Sequence, residues 1–270
     1  MNRKSLSFPY IIWIIGFTII PLIFIIQQTL TDADGNFTLE NLTAIADPLH
    51  RKALLLSVEL AFICTIICIL LAYPLAMILK NSRMKQQNVI LFILVLPMWM
   101  NFILRILALQ MLISNNGIIN YLLTAIGFEP IQFINTPGAI VFGMVYDYLP
   151  YMILPIMNTI MAIPADIIEA SKDLGAGKFQ TFFRIILPLS LPGVGSGITM
   201  VFVPSMTEFV IANILGGGKL QLLGNIIEQE FTVSMDWHLG SGLSVALMLF
   251  VLITSLLLGR QDSEEKGLVL

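Results

Sequence analysis

The chain has 270 residues, of which 57% are hydrophobic and 11% charged, and its mean hydropathy is +0.89. So few charged side chains cannot cover a core of that composition, which excludes a water-soluble globular domain and makes a bilayer the solvent. The net charge of −3 is spread over loops on both faces and singles out no partner. Period-2 alternation is absent and the apolar runs are about twenty residues long, which predicts helices rather than barrel strands. The fold class is therefore an all-α polytopic membrane protein, one transmembrane domain over 1–270. Cys64 and Cys68 fall four apart inside an apolar run and read as ordinary membrane-helix residues. His50 and His238 are far apart in loops, so no metal cluster is expected.

Arg3 and Lys4 precede an apolar run from about Tyr10 to Ile26. The run is long for a signal peptide, contains Pro21, and is followed by Gln27 and Gln28 instead of small residues, so it reads as a retained first span. An acidic, polar loop with a turn at Gly35 and Asn36 leads to a second span, about Ala53 to Leu79, closed by Lys80, Arg83 and Lys85. A third span is expected from about Val89 to Ile113. The loop after it holds a candidate interfacial helix over Ile118 to Ile126. A fourth span runs from about Pro137 to Ile163. The fifth starts at Pro188, opens with Gly193, Gly195 and Gly197 at a spacing that lets another helix approach closely, and ends near Ile214 ahead of Gly216, Gly217 and Gly218. An amphipathic segment, Leu220 to His238, leads to a sixth span, about Gly240 to Leu258, and a polar tail.

Lys and Arg near the span ends set the orientation. With the N-terminus inside, the inner segments carry ten (Arg3, Lys4, Lys80, Arg83, Lys85, Lys172, Lys178, Arg184, Arg260, Lys266) and the outer three (Arg51, Lys52, Lys219). Both termini are therefore expected on the cytoplasmic side of the membrane.

Between the fourth and fifth spans lies a dense group of charges, Asp166 to Pro188, reading DIIEASKDLGAGKFQTFFRIILP. Asp166 is placed to cap a short helix, and Gly175 and Gly177 to end it through positive φ. A second helix is expected from Lys178. A charged connector between spans would carry the same residues. Glu169-Ala170, Gly175 six residues after Glu169, and Ile185-x-Leu187-Pro188 resemble the EAA motif of ABC-importer permeases, with Ser171 where the motif has a second Ala. That resemblance implies a type I importer (MetI-like) fold. It also implies that 166–188 is a coupling loop docking on a cytoplasmic ATPase, with Asp166, Glu169, Ala170, Ser171, Asp173, Gly175 and Lys178 as the contact residues.

Two stretches, GAGKF from Gly175 and GGGKL from Gly216, imitate a phosphate-binding loop. Phe179 and Leu220 stand where the metal-binding Ser or Thr would have to follow the lysine, so neither is expected to bind ATP. No cofactor is expected on this chain, and ATP with magnesium would be used by the partner. No nucleophile triad or carboxylate pair suggests an enzyme.

Charges inside spans cost roughly 2.5–3.5 kcal/mol each on insertion scales, so each needs a partner or a purpose. Glu59 and Arg105 lie at similar predicted depth and form a candidate structural ion pair. Asp147 falls in the middle of the fourth span among Tyr146, Tyr148 and Tyr151, beside Pro150, which frees a backbone carbonyl. A carboxylate flanked by aromatic rings suits a cationic amine. Glu208 adds a second carboxylate, and Trp99, Asn101 and Phe209 are candidates to complete the lining. Packing within the membrane accounts equally for each of these residues.

The pieces LPMWMNFILRILALQMLISNNGIIN, VYDYLPYMILP and FVPSMTEFVIANILGG resemble the spermidine/putrescine permeases, and Trp99, Asn101 and Arg105 match the PotB branch of that family. The resemblance implies a heterodimer with a PotC-like permease, two copies of a PotA-like ATPase, and a PotD-like extracytoplasmic binding protein. Two other readings stay open. One is the same architecture carrying sulfate, molybdate or iron, with Arg105 as the key group, and the other is a stand-alone proton-coupled carrier.

Overall fold

The computed structural model describes residues 8–80, 82 and 84–266. The expectations placed on Arg3, Lys4, Arg83 and the last four residues of the polar tail lie outside the described residues. In chain order the helices are α1 (Phe8–Ile14), α2 (Ile20–Thr29), α3 (Glu40–Thr43), α4 (Pro48–Lys80), α5 (Met84–Val95), α6 (Phe102–Ile113) and α7 (Ile118–Ala125). They continue with α8 (Pro137–Ala162), α9 (Ala165–Asp173), α10 (Lys178–Thr181), α11 (Leu187–Met206), α12 (Val210–Gly216), α13 (Leu223–Gln229) and α14 (Trp237–Lys266). Six helical segments among the described residues are long and apolar enough to cross a membrane. The chain divides into two compact units, Met1–Leu55 with Leu223–Ile253, and Leu56–Leu222 with Thr254–Leu270.

In the first unit, α1 and α2 are joined without a break by a widened π turn, Ile15–Ile19. Pro21 follows it. A proline ring clashes with the carbonyl four residues back, here that of Phe17, and the widened turn makes room for it. Asp32 closes the next turn by accepting from the amides of Asn36 (2.8 Å) and Asp34 (3.0 Å). The Asn36 amide above all holds its carboxyl below the usual carboxylate range. Gly242 of α14 faces the Asn41 backbone, and His238 Nδ1 lies 3.0 Å from the Gln28 carbonyl. The polar tail after the sixth span continues its helix as far as Lys266.

The second unit is built around α8, whose Ile140, Met144, Met152, Ile153, Ile156 and Ile160 are fully buried. It packs chiefly against α11 and, nearer its N-terminus, against α12. A Cβ at Gly193 would overlap the Thr159 side chain and lie 2.6 Å from the Pro155 carbonyl oxygen, and one at Gly197 would lie 2.6 Å from Met152 Sδ. The close approach expected from the glycine spacing is thus made between α11 and α8. Cys64 and Cys68 are buried in this core.

Two spans differ from expectation. The third is not continuous: α5 stops at Val95, Leu96–Trp99 form a tight 3-10 turn, and α6 starts afresh after Asn101, whose side chain accepts from the Leu104 amide at 3.2 Å. Pro97 lacks the donor that a continuing helix needs. The fifth begins early and ends early. Helix runs unbroken from Lys178 to Met206, through a second π turn at Phe182–Ile186 that relieves Pro188 as the first relieves Pro21. It stops at Met206, just past Pro204, and Thr207–Phe209 are irregular before α12. Gly217 and Gly218, both at positive φ, end α12 as expected.

The α8–α11 contact gives a direct test. Gly193→Ala places a methyl against the α8 backbone, an overpacking that costs about 1–3 kcal/mol and lowers the thermal unfolding midpoint of the detergent-purified protein. Gly16→Ala, with nothing within 4 Å, leaves that midpoint unchanged.

Candidate functional site: buried charges and an exposed helical knob

The breaks in the third and fifth spans and the middle of α8 meet in the second unit, and the intramembrane charges gather there. Asp147 and Tyr148 are consecutive on α8 and so point about 100° apart around it. Asp147 Oδ1 accepts a hydrogen bond from Arg105 Nη2 of α6, forming an ion pair. Arg105 Nη1 donates to the Pro97 carbonyl at 2.9 Å, so one guanidinium ties the broken third span to α8. Its central carbon lies 5.8 Å from the Phe102 ring centroid and 6.0 Å from that of Tyr146, and both partners of the pair are buried. The expected Glu59–Arg105 pair is therefore replaced by Arg105–Asp147. Glu59 is exposed on the side of α4, while Arg105 faces inward.

Tyr148 turns to the other break. Its hydroxyl donates to Glu208 Oε2 at 2.6 Å, and Glu208 Oε1 accepts from the Ile211 amide at 3.0 Å, one of the free donors in the first turn of α12. Glu208 is buried, and among the described residues no cationic side chain lies within ion-pair distance of it. Tyr151, one turn from Tyr148, has its ring centroid 6.4 Å away. Tyr146, Tyr151 and Phe209 are each about two-fifths exposed, and Trp99 is exposed edge-on to Phe92. Asn101 caps α6. The two carboxylates thus differ in kind: Asp147 is neutralised in place, whereas Glu208 is held by neutral donors alone.

The Asp166–Pro188 stretch is an exposed helix–turn–helix. The cap of α9 is Pro164, not Asp166, which lies in the helix's first turn where its charge faces the positive end of the helix dipole. Gly175 has φ +81°, and the Ala176 amide reaches back to the Ser171 carbonyl at 3.0 Å, closing the helix end. Gly177 is extended at φ −71° and precedes α10, so only the first of the two glycines uses positive φ. Ser171 is buried, donating to the Ile168 carbonyl (2.7 Å) and lying 3.1 Å from Thr181 Oγ1, which pins the two short helices together. Glu169, Ala170, Asp173 and Lys178 are exposed, as are Leu174 and Phe179 at the tip, 89% and 81% respectively.

Residues 69–263 match the family described as "Binding-protein-dependent transport system inner membrane component". The chain belongs to this family. It is 39% identical over 243 residues to the spermidine/putrescine transport system permease protein PotB of Haemophilus influenzae, covering 87% of this chain and 85% of that one. It is 37% identical, again over 243 residues, to PotB of Escherichia coli, covering 87% and 88%. The crystal structure of a bacterial ABC transporter that imports the acidic polysaccharide alginate superposes with a TM-score of 0.83 at 15% identity, covering 97% of this chain and 94% of that one. The fold is that of a type I ABC-importer permease. As a member of this family the chain is a multi-pass membrane permease subunit of an ABC importer and not an enzyme.

Sequence reasoning missed the Arg105–Asp147 pair because it compared depths along single helices. The available signal was that the span interiors hold one arginine and three carboxylates, Glu59, Asp147 and Glu208. It also counted Lys80 only as a charge at a span end. The buried pair has a clear signature. Arg105→Ala strands Asp147 and destabilises the protein by about 3–5 kcal/mol, whereas Arg105→Met with Asp147→Leu restores most of that loss, both read as unfolding midpoints in detergent.

Proposed function

We propose that this chain is the PotB-type permease subunit of an ATP-driven polyamine importer. The observation that carries the reading is the 39% identity, spread over 243 residues, to a permease named for spermidine and putrescine transport. The partners that follow are a PotC-like permease forming a heterodimer with it, two copies of a PotA-like ATPase, and a PotD-like extracytoplasmic polyamine-binding protein. ATP and magnesium are used by the ATPase, and this chain binds no cofactor. The excess of Lys and Arg on the inner segments supports cytoplasmic termini and a coupling loop on the same side.

In this reading α9 is the coupling helix. Its exposed Glu169 and Ala170, with Leu174 and Phe179 beyond them, suit a groove on a soluble partner, since exposed apolar side chains at the tip of a charged loop gain by burial. Closure of the ATPase displaces the knob, and the spans rock so that a cavity opens toward the binding protein. Within the membrane, Glu208 is the carboxylate that answers the ammonium groups of the cargo. Among the described residues it has no cationic partner within ion-pair distance, and the Tyr148 hydroxyl fixes its orientation. Tyr146, Tyr151, Phe209 and Trp99 offer exposed ring faces for the cation to pass along. An anionic cargo is disfavoured because Arg105, the group it would need, is already committed to Asp147 and Pro97.

Competition uptake in reconstituted complexes tests the cargo: spermidine and putrescine compete with one another, and sulfate and ferric ligands do not. Competition by sulfate in place of putrescine would sink the polyamine reading. Glu208→Gln keeps the shape and removes the charge, so half-maximal uptake should require about tenfold more spermidine; an unchanged uptake curve removes Glu208 from the pathway. Gly175→Val forces a β-branched residue into the left-handed region at a cost of about 1–2 kcal/mol. Uptake should fall while ATP hydrolysis persists, and normal uptake counts against a coupling role for the loop.

A further inference from the structure

Pro74 lies inside α4, where it removes one backbone donor and loosens the helix ahead of its last two turns or so. On either side of that point α4 holds one stem of the coupling loop. Beyond it Lys80, the last residue of α4, donates through Nζ to the carbonyls of Ile160 (2.8 Å) and Ile163 (3.1 Å). Those carbonyls belong to the final turn of α8 and its cap, immediately before Pro164, where α9 begins. Just ahead of Pro74, the Tyr73 hydroxyl pairs with Ser190 Oγ in the first turn of α11. The Tyr73 ring also stands edge-on to Phe182 at 5.3 Å between centroids, against the widened turn of the outgoing stem. Ser190 Oγ donates onward to the Leu187 carbonyl at 3.0 Å, so the pair is anchored to the α11 backbone.

The chemistry at Lys80 is specific. The last carbonyls of a helix carry the negative end of its dipole, and that of Ile160, which accepts the Ile163 amide at 3.3 Å, has a second lone pair to offer. An ammonium with three protons reaches both the Ile160 and Ile163 carbonyls at once and is matched in charge. Among the described residues no carboxylate lies within ion-pair distance of Lys80, so its charge is directed at the end of α8. Tyr73 and Ser190 are both buried, which makes their hydroxyl pair hard to exchange for water.

We infer that Lys80 and Tyr73 are positioning residues that clamp both stems of the coupling loop to α4, so that a displacement of the loop moves α4, α8 and α11 together. The inference rests on the reading above that this loop meets an ATPase. Without the clamp, a push on α9 tilts α8 and α11 separately, and the work done on the loop is not passed to the membrane segments as one motion.

The test uses the complete complex in proteoliposomes with polyamine-loaded binding protein, measuring ATP hydrolysis and spermidine import in the same preparation. For Lys80→Met, import should fall about tenfold while hydrolysis stays within about twofold of wild type. Lys80→Arg, which keeps the charge and the donors, should return the ratio of ATP hydrolysed to spermidine imported close to the wild-type value. Tyr73→Phe removes one hydroxyl and keeps the ring; it should raise the ratio about threefold, and it decides alone if Lys80→Met does not accumulate in the membrane. A merely structural role lowers both activities in parallel by reducing the amount of working complex. A parallel fall, or a ratio that stays at the wild-type value, therefore overturns the clamp. A wild-type complex that hydrolyses no ATP and imports no polyamine sinks the importer reading instead, before any variant is compared.

Discussion

Two glycine positions on α11 allow it to lie against α8 with little more than hydrogen between the backbones. Lipid tails are as apolar as the helices they surround, so this intimacy, and not expulsion of oil from water, is what joins two spans in a bilayer. Much of the second unit depends on that contact. It fixes α8 as the buried axis, and Asp147 and Tyr148 fan out from that axis toward the two interrupted spans. It also sets the separation of the two stems that Lys80 and Tyr73 bridge. A bulkier residue at Gly193 would therefore disturb polar partnerships well away from the point of substitution.

The second governing constraint is that backbone donors and acceptors need partners where water is scarce. Each interruption in the spans has a local solution. Asn101 caps the restart of the third span, Arg105 takes the Pro97 carbonyl, and Glu208 takes an amide at the start of α12. Two of the candidate pathway groups, Asn101 and Glu208, and the paired Arg105 are thus also the groups that make the breaks tolerable. Function and architecture share these residues, which is why the charge state of each carboxylate matters: one is balanced by a guanidinium and the other by hydroxyl and amide dipoles alone.

Much of the fold is legible in the residues. Length and hydropathy give the six spans, Gly193 and Gly197 give a close helix contact, and Gly175 with Gly217 gives two chain reversals. The short helix over Ile118–Ala125 is legible too. Helix ends next to prolines are the main failures. Pro97 breaks a span that hydropathy alone runs together, whereas Pro188 interrupts nothing, because whether a proline ends a helix depends on whether the preceding turn can widen. Pairing between spans is the other failure. Arg105 lies 42 residues from Asp147 along the chain, and only the packing of α6 against the α8 assembly decides that Asp147, not Glu59, accepts its hydrogen bond. The EAA-like loop is readable as a motif, yet the buried hydroxyl contact of Ser171 with Thr181 that gives the knob its rigidity is not.

The widened turn at Phe182–Ile186 has a further consequence. A π turn holds one residue more than an α turn, so it is a place where a helix carries slack in its sequence register. If that residue shifted along the helix, everything on one side of it would rotate by about 100° relative to the other, as one residue of an α-helix does. The outgoing stem would then be geared: its Lys178 end would turn about its own axis while Pro188 and the rest of α11 kept their facing. Such a shift would make rotation of the stem separable from translation of the knob, and the place for it is set by a single proline four residues past the centre of the turn.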